Sequence, residues 1–274
     1  MKKFIYLHPV LAVLFPFSPC VAILAVLWQL QVVSLSFAIF CVAWLLVLLS
    51  FPVRRAFPAL LSEASHLLQA ECNVPAFLSR MEILRSRRRL SVDKRLLLEA
   101  NYALGLDAGG KTDEAMDCLR KCRPLRDKVP VPMRYQFDIA YACVLAHTKE
   151  ATEELPRQLA TLEQGYRSLP FLPPVREMLR RNLDTLQDIA RFYAGDIETA
   201  RSHFVTRIEG YLAHPSMRRS MLLSCMWLAR IYEKQHLVRE AAAMYRYVAE
   251  KGNTLGAVDE AKDALARLME EEKV

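Results

Sequence analysis

Fifty consecutive residues between Lys3 and Arg54 contain no Asp, Glu, Lys or Arg. A water-soluble fold of 274 residues needs charged side chains on its surface, so a stretch of that length without any belongs in a core or in lipid. A helix crosses the ~30 Å hydrocarbon layer with roughly 20 apolar residues. The run supplies that length twice, over 9–28 and 32–51, with Gln29, Leu30 and Gln31 as the polar break and Trp28 beside it as an interfacial anchor. The pattern predicts a transmembrane helical hairpin over 1–53. Lys2 and Lys3 precede it and Arg54 and Arg55 follow it, and basic residues are retained on the cytoplasmic side. The expectation is an integral protein of the cell membrane, with both termini and the remaining 221 residues cytoplasmic.

A cleaved signal peptide is the competing reading of the first apolar stretch. Pro19 stands before Cys20 where a lipoprotein signal carries a small residue, and the second span would hold the chain in the membrane regardless. Neither span carries an acid or a base of the kind that marks a transport path, so the hairpin is read as an anchor. Pro9, Pro16 and Pro19 each remove a backbone donor from the first span and call for packing against the second. Seven scattered cysteines, odd in number and without a CxxC, are expected as reduced thiols in a cytosolic setting.

Beyond the hairpin the chain is a succession of helical periods with no sustained period-2 alternation, which predicts an all-α fold and no large sheet. Residues 54–95 form a basic juxtamembrane helical segment. Between Arg80 and Arg95 seven basic residues stand against Glu82 and Asp93. Near a membrane each such charge adds on the order of 1 kcal/mol of attraction to anionic lipid. Arg85, Arg87, Arg88, Arg89, Lys94 and Arg95 are therefore candidate lipid contacts, a solvated face being the plainer reading. The cluster lacks interleaved aromatics for base stacking, so no nucleic acid is expected.

Residues 96–274 carry a repeated unit: a helix, a Gly-centred or polar turn, and a second helix opening with acids and Ala. Residues 96–106 run into 112–119, 186–193 into 195–204, and 227–232 into 238–245. A further copy is expected between the first two, over 135–166, and the stripe Ala261, Ala264, Leu265 and Leu268 fits a closing helix. These segments resemble tetratricopeptide repeats. The resemblance implies that small first-helix residues, here Ala103, Ala190 and Ala229, pack against Ala115, Ala200 and Ala241 of the second helices. It also implies that Leu119, Phe204 and Tyr245, four positions on, fill the groove between them. The implied fold is a TPR-like α-solenoid with a C-terminal cap, and the implied function is a scaffold or adaptor that binds a protein or peptide partner on its concave face. Asn101, Arg191 and Arg230, polar positions on first helices, are candidate partner contacts. An assembly or regulatory factor of a membrane complex differs from this only in the partner.

Gly105 to Thr112 matches the phosphate-loop pattern GxxxxGK[ST], which keeps a nucleotide-binding enzyme as an alternative. That loop needs a strand leading into it, whereas the preceding residues have helical period. The segment is better read as an inter-helix turn with Thr112 as N-cap and Asp113 and Glu114 on the positive helix end. Cys118 and Cys122 share a helix face, but no further Cys or His lies nearby in sequence, so they are read as packing residues. No catalytic residue, metal or cofactor is expected.

Overall fold

In a computed structural model, residues 9–31, 34–87 and 90–271 are described. Among them every regular element is helical. The chain divides into two units, Met1–Ala64 and Ser65–Val274.

The first unit contains α1 (Pro9–Gln29) and most of α2 (Leu35–Gln69). Helix α1 runs on through Pro16 and Pro19. It ends where Gln31, at φ 57°, donates its amide to Trp28. The hydroxyl of Ser34 then accepts the Phe37 amide and opens α2. Ile23, Val26, Leu30, Phe37, Ile39, Phe40 and Trp44 are all more than half exposed in this unit. Among the described residues no helix is long and apolar enough to cross a membrane. The side chains of residues 9–17 and 46–55, within the two expected spans, lie outside the described residues, as do Lys2 and Lys3.

The second unit continues with α3 (Val74–Arg85), α4 (Val92–Ala108), α5 (Thr112–Arg126), α6 (Val131–Leu145), α7 (Ala151–Ser168), α8 (Pro173–Ala194), α9 (Ile197–Leu212), a 3-10 turn at Pro215–Met217, α10 (Arg218–Lys234), α11 (Val238–Lys251) and α12 (Ala257–Glu271). From α3 onward each helix packs on its sequence neighbour, and the first helices α4, α6 and α8 also touch in turn, as stacked helical pairs require. Local chemistry sets the ends. Asn73 caps α3 by accepting the Ala76 amide at 3.1 Å. Helix α8 begins on two prolines and stops at Gly195, whose φ of 88° is open to glycine without a Cβ clash. At α5 the expected cap is corrected. Lys111 holds the N-cap position, and the Thr112 hydroxyl instead donates to Asp107 Oδ1 at 3.0 Å, because that carboxylate is buried and needs donors. Pro124 lies inside α5.

Phe77, Met81 and Leu84 of α3 are buried, and α3 packs on α4. The small and large positions of the repeats also lie in the core: Ala103, Ala115, Leu119, Ala200, Phe204, Ala229, Ala241 and Tyr245 are all buried, whereas Ala190 is only partly so. The middle pair, α6 and α7, supplies its own version with Ala151 and Leu155, again four apart and fully buried.

The array also closes on itself. The loop between α11 and α12 returns to the start of the unit, where Thr254 Oγ1 accepts from the Val74 amide and donates to the Cys72 carbonyl, and Asn253 Nδ2 donates to the Glu71 carbonyl. Gly256 donates its amide to the Ala108 carbonyl at 2.8 Å. The inner face is filled accordingly. Trp227 on α10 packs edge-on against Phe192 and Tyr193 and stacks at 6.1 Å on His147.

Candidate functional site

The last three helices frame a cleft of about 750 Å³ lined by polar side chains from each. Helix α10 contributes Arg230 and Glu233, three apart and therefore on one face, α11 contributes Tyr245, and α12 contributes Glu260, Asp263, Ala264 and Arg267. The Arg230 guanidinium sits 4.4 Å over the Trp227 ring and donates through Nε and Nη2 to Glu260 Oε1, at 3.0 and 2.5 Å. Arg267 pairs with Glu233 Oε1, while the Tyr245 hydroxyl donates to Glu233 Oε2 at 2.9 Å. Burial, and then the neighbouring Glu233 carboxylate, push the Tyr245 hydroxyl well above the ordinary phenol range, which keeps it a donor. Two guanidinium groups thus face three carboxylates. Among the described residues Asp263 has no ion-pair partner and is exposed.

The structure separates the three candidate partner contacts. Arg230 lines the cleft. Arg191 is held at 2.6 Å from Asp188, a carboxylate that also takes Arg207 at 2.5 Å and lies 2.8 Å from His203 Nδ1. Asn101 turns back to donate to the Leu97 carbonyl of its own helix. The partners of Arg230 were not readable in sequence, because Glu260 lies on a different helix and no periodic pattern links them.

The candidate lipid contacts also divide. The Arg85 guanidinium pairs with Glu99 at 2.9 Å and covers the Tyr102 ring at 4.0 Å, which ties α3 to α4. Lys94 and Arg95 are exposed in the first turn of α4 and Arg87 is partly buried. Arg88 and Arg89 lie outside the described residues.

The phosphate-loop segment is the C-terminal part of α4 and the turn after it. Gly105 is inside that helix, and a Cβ there would meet Phe77 Cε1 at 2.3 Å, so glycine permits the approach of α3. Lys111 reaches Glu114 at 3.2 Å. Asp107, at the same turn, also lies 2.9 Å from His147 Nδ1. Arg219 is enclosed at its Nε without a hydrogen-bond partner among the described residues. Burial pulls its guanidinium below the ordinary range, and the Asp107 charge opposes that pull.

Comparison of the chain with models of protein families, with curated proteins and with solved structures finds no match in any of the three.

Proposed function

We propose that this protein is a membrane-anchored, TPR-like scaffold or adaptor that takes a protein or peptide partner at the cytosolic membrane face. The observation that carries the reading is the cleft of α10–α12, where the Arg230–Glu260 and Arg267–Glu233 pairs hold the walls and Asp263 is left to receive a basic side chain. A polar cleft of this kind, with its charges already positioned by packing, suits recognition of a charged segment. The small and large residues at fixed places in successive pairs support the repeat reading, with Ala151 and Leu155 extending it to the middle pair. The exposed apolar surface between Ile23 and Trp44 supports the anchor, since a soluble domain rarely exposes so many large apolar side chains together.

Photo-crosslinking in native membranes tests the reading. A crosslinking residue at position 266, exposed and one turn along α12 from Asp263, is expected to give a discrete protein adduct that is lost on Arg230→Glu. The same residue at position 160, exposed on α7, is expected to give none. Identical adducts from both positions, or an adduct indifferent to Arg230→Glu, would exclude the cleft. Alkaline carbonate extraction tests the anchor independently, the full chain being expected in the pellet.

A further inference from the structure

Cys118 and Cys122 stand one helical turn apart on α5, so both sulfurs leave the same face. The tertiary structure brings a third donor to them. A carboxylate oxygen of Glu99, on α4, and the two Sγ atoms all lie within 4.8 Å of one another. Cys118 Sγ is 3.5 Å from Glu99 Oε2. Tetrahedral zinc, with Zn–S of about 2.3 Å and Zn–O of about 2.0 Å, holds adjacent sulfur and oxygen ligands about 3.5 Å apart. The Cys118–Glu99 separation thus matches that of two ligands of one ion, and the Cys122 sulfur lies within 4.8 Å of both.

Arg85 completes the arrangement. Its Nε donates to Glu99 Oε1 at 3.0 Å and its Nη2 approaches Oε2 at 2.9 Å. A carboxylate offers about four lone-pair positions, and this fork uses two of them. Oε2 retains a lone pair on the side of the sulfurs, while the guanidinium fixes the carboxylate plane as supporting donors do at metal sites. The charges also close: two thiolates and one carboxylate are balanced by a divalent cation and Arg85. That balance matters because Cys122 is buried and Cys118 and Glu99 are partly so.

We propose that Glu99, Cys118 and Cys122 bind one thiophilic divalent cation of the zinc class, with a fourth position open to water or to an outside ligand. Two sulfur donors select against magnesium and calcium. As each sulfur–metal bond forms, the thiol proton leaves to solvent, two protons per ion.

Full-length protein, reduced and held in detergent micelles, titrated with Co²⁺ as the probe, tests the site. Thiolate-to-cobalt charge transfer and tetrahedral visible bands should saturate at one equivalent and vanish on adding Zn²⁺. Cys225→Ser should leave the titration unchanged, whereas the double variant Cys118→Ser, Cys122→Ser should lose it. Glu99→Gln, which keeps the side-chain shape, should weaken binding at least on the order of tenfold. A wild-type chain that gives no such spectrum overturns the proposal, as does a spectrum that survives in the double variant. If the double variant fails to fold, Glu99→Gln decides, and unchanged affinity there overturns the site as drawn.

Discussion

The amide of Gly256 donates to the carbonyl of Ala108 at 2.8 Å, joining the start of the last helix to the end of α4. Two glycines make the approach possible. A Cβ on Gly256 would fall 2.4 Å from the Gly110 nitrogen and 2.7 Å from the Gly109 carbonyl carbon, both backbone atoms that cannot swing aside. Closure therefore depends on a side chain being absent. Gly256→Ala is expected to lower stability by about 1–3 kcal/mol, the usual cost of overpacking. Gly210→Ala is the control. Nothing lies within 4 Å of a Cβ there, inside α9, so thermal unfolding should show unchanged stability or a gain of up to about 1 kcal/mol.

Asp188 is fully buried and surrounded by Arg191, Arg207 and His203. Removing its carboxylate strands the Arg207 guanidinium, whose Nη1 already has no partner among the described residues. Asp188→Ala should cost about 3–5 kcal/mol, because breaking a buried pair leaves an uncompensated charge. Arg191→Ala, which removes the more exposed partner, should cost much less. A thermal series over both variants separates the two.

Alkaline pH should loosen the fold through its buried thiols. Burial pushes Cys225 from an ordinary value of 9.0 up to about 11, and Cys143, with Arg219 opposing, up to about 12. Above pH 9 the unfolded chain loses these protons while the native chain keeps them. Stability is therefore full below about pH 9 and falls as pH rises toward 11 and 12, by about 3 kcal/mol for a shift of two units. Cys225→Ala should flatten part of that slope in unfolding curves taken between pH 8 and 11. An unaltered slope would place the titration elsewhere.

Ile39 lies near the middle of the second apolar stretch and is 60% exposed. On the proposed anchor, Ile39→Arg carries an insertion penalty of about 2.5–3.5 kcal/mol. The variant should shift from the carbonate-resistant pellet toward the soluble or aggregated fraction, whereas Ile39→Leu should stay in the pellet.

Much of the helical layout follows from short-range pattern. Ala115 and Leu119, Ala200 and Phe204, and Ala241 and Tyr245 are four apart, a spacing that puts a small and a large side chain on one face. The same rule at Ala151 and Leu155 is masked in the sequence by Pro156 and by the uneven spacing of the units. Arg85 shows the opposite limit. In a run of arginines a solvated charge and a paired one have the same sequence signature, and only the approach of Glu99 from α4 distinguishes them.

The sequence alone determined what neighbours along the chain can decide: an uncharged apolar run, helices rather than strands, and paired sulfurs on one face of α5. Tertiary structure decided what meets across the chain. The return of Gly256 to Ala108, the Glu260 partner of Arg230 and the carboxylate that joins Cys118 and Cys122 all link separate helices. Such pairs leave no periodic trace, because helical periodicity records which side of a helix faces the core and carries no information about which residue waits there.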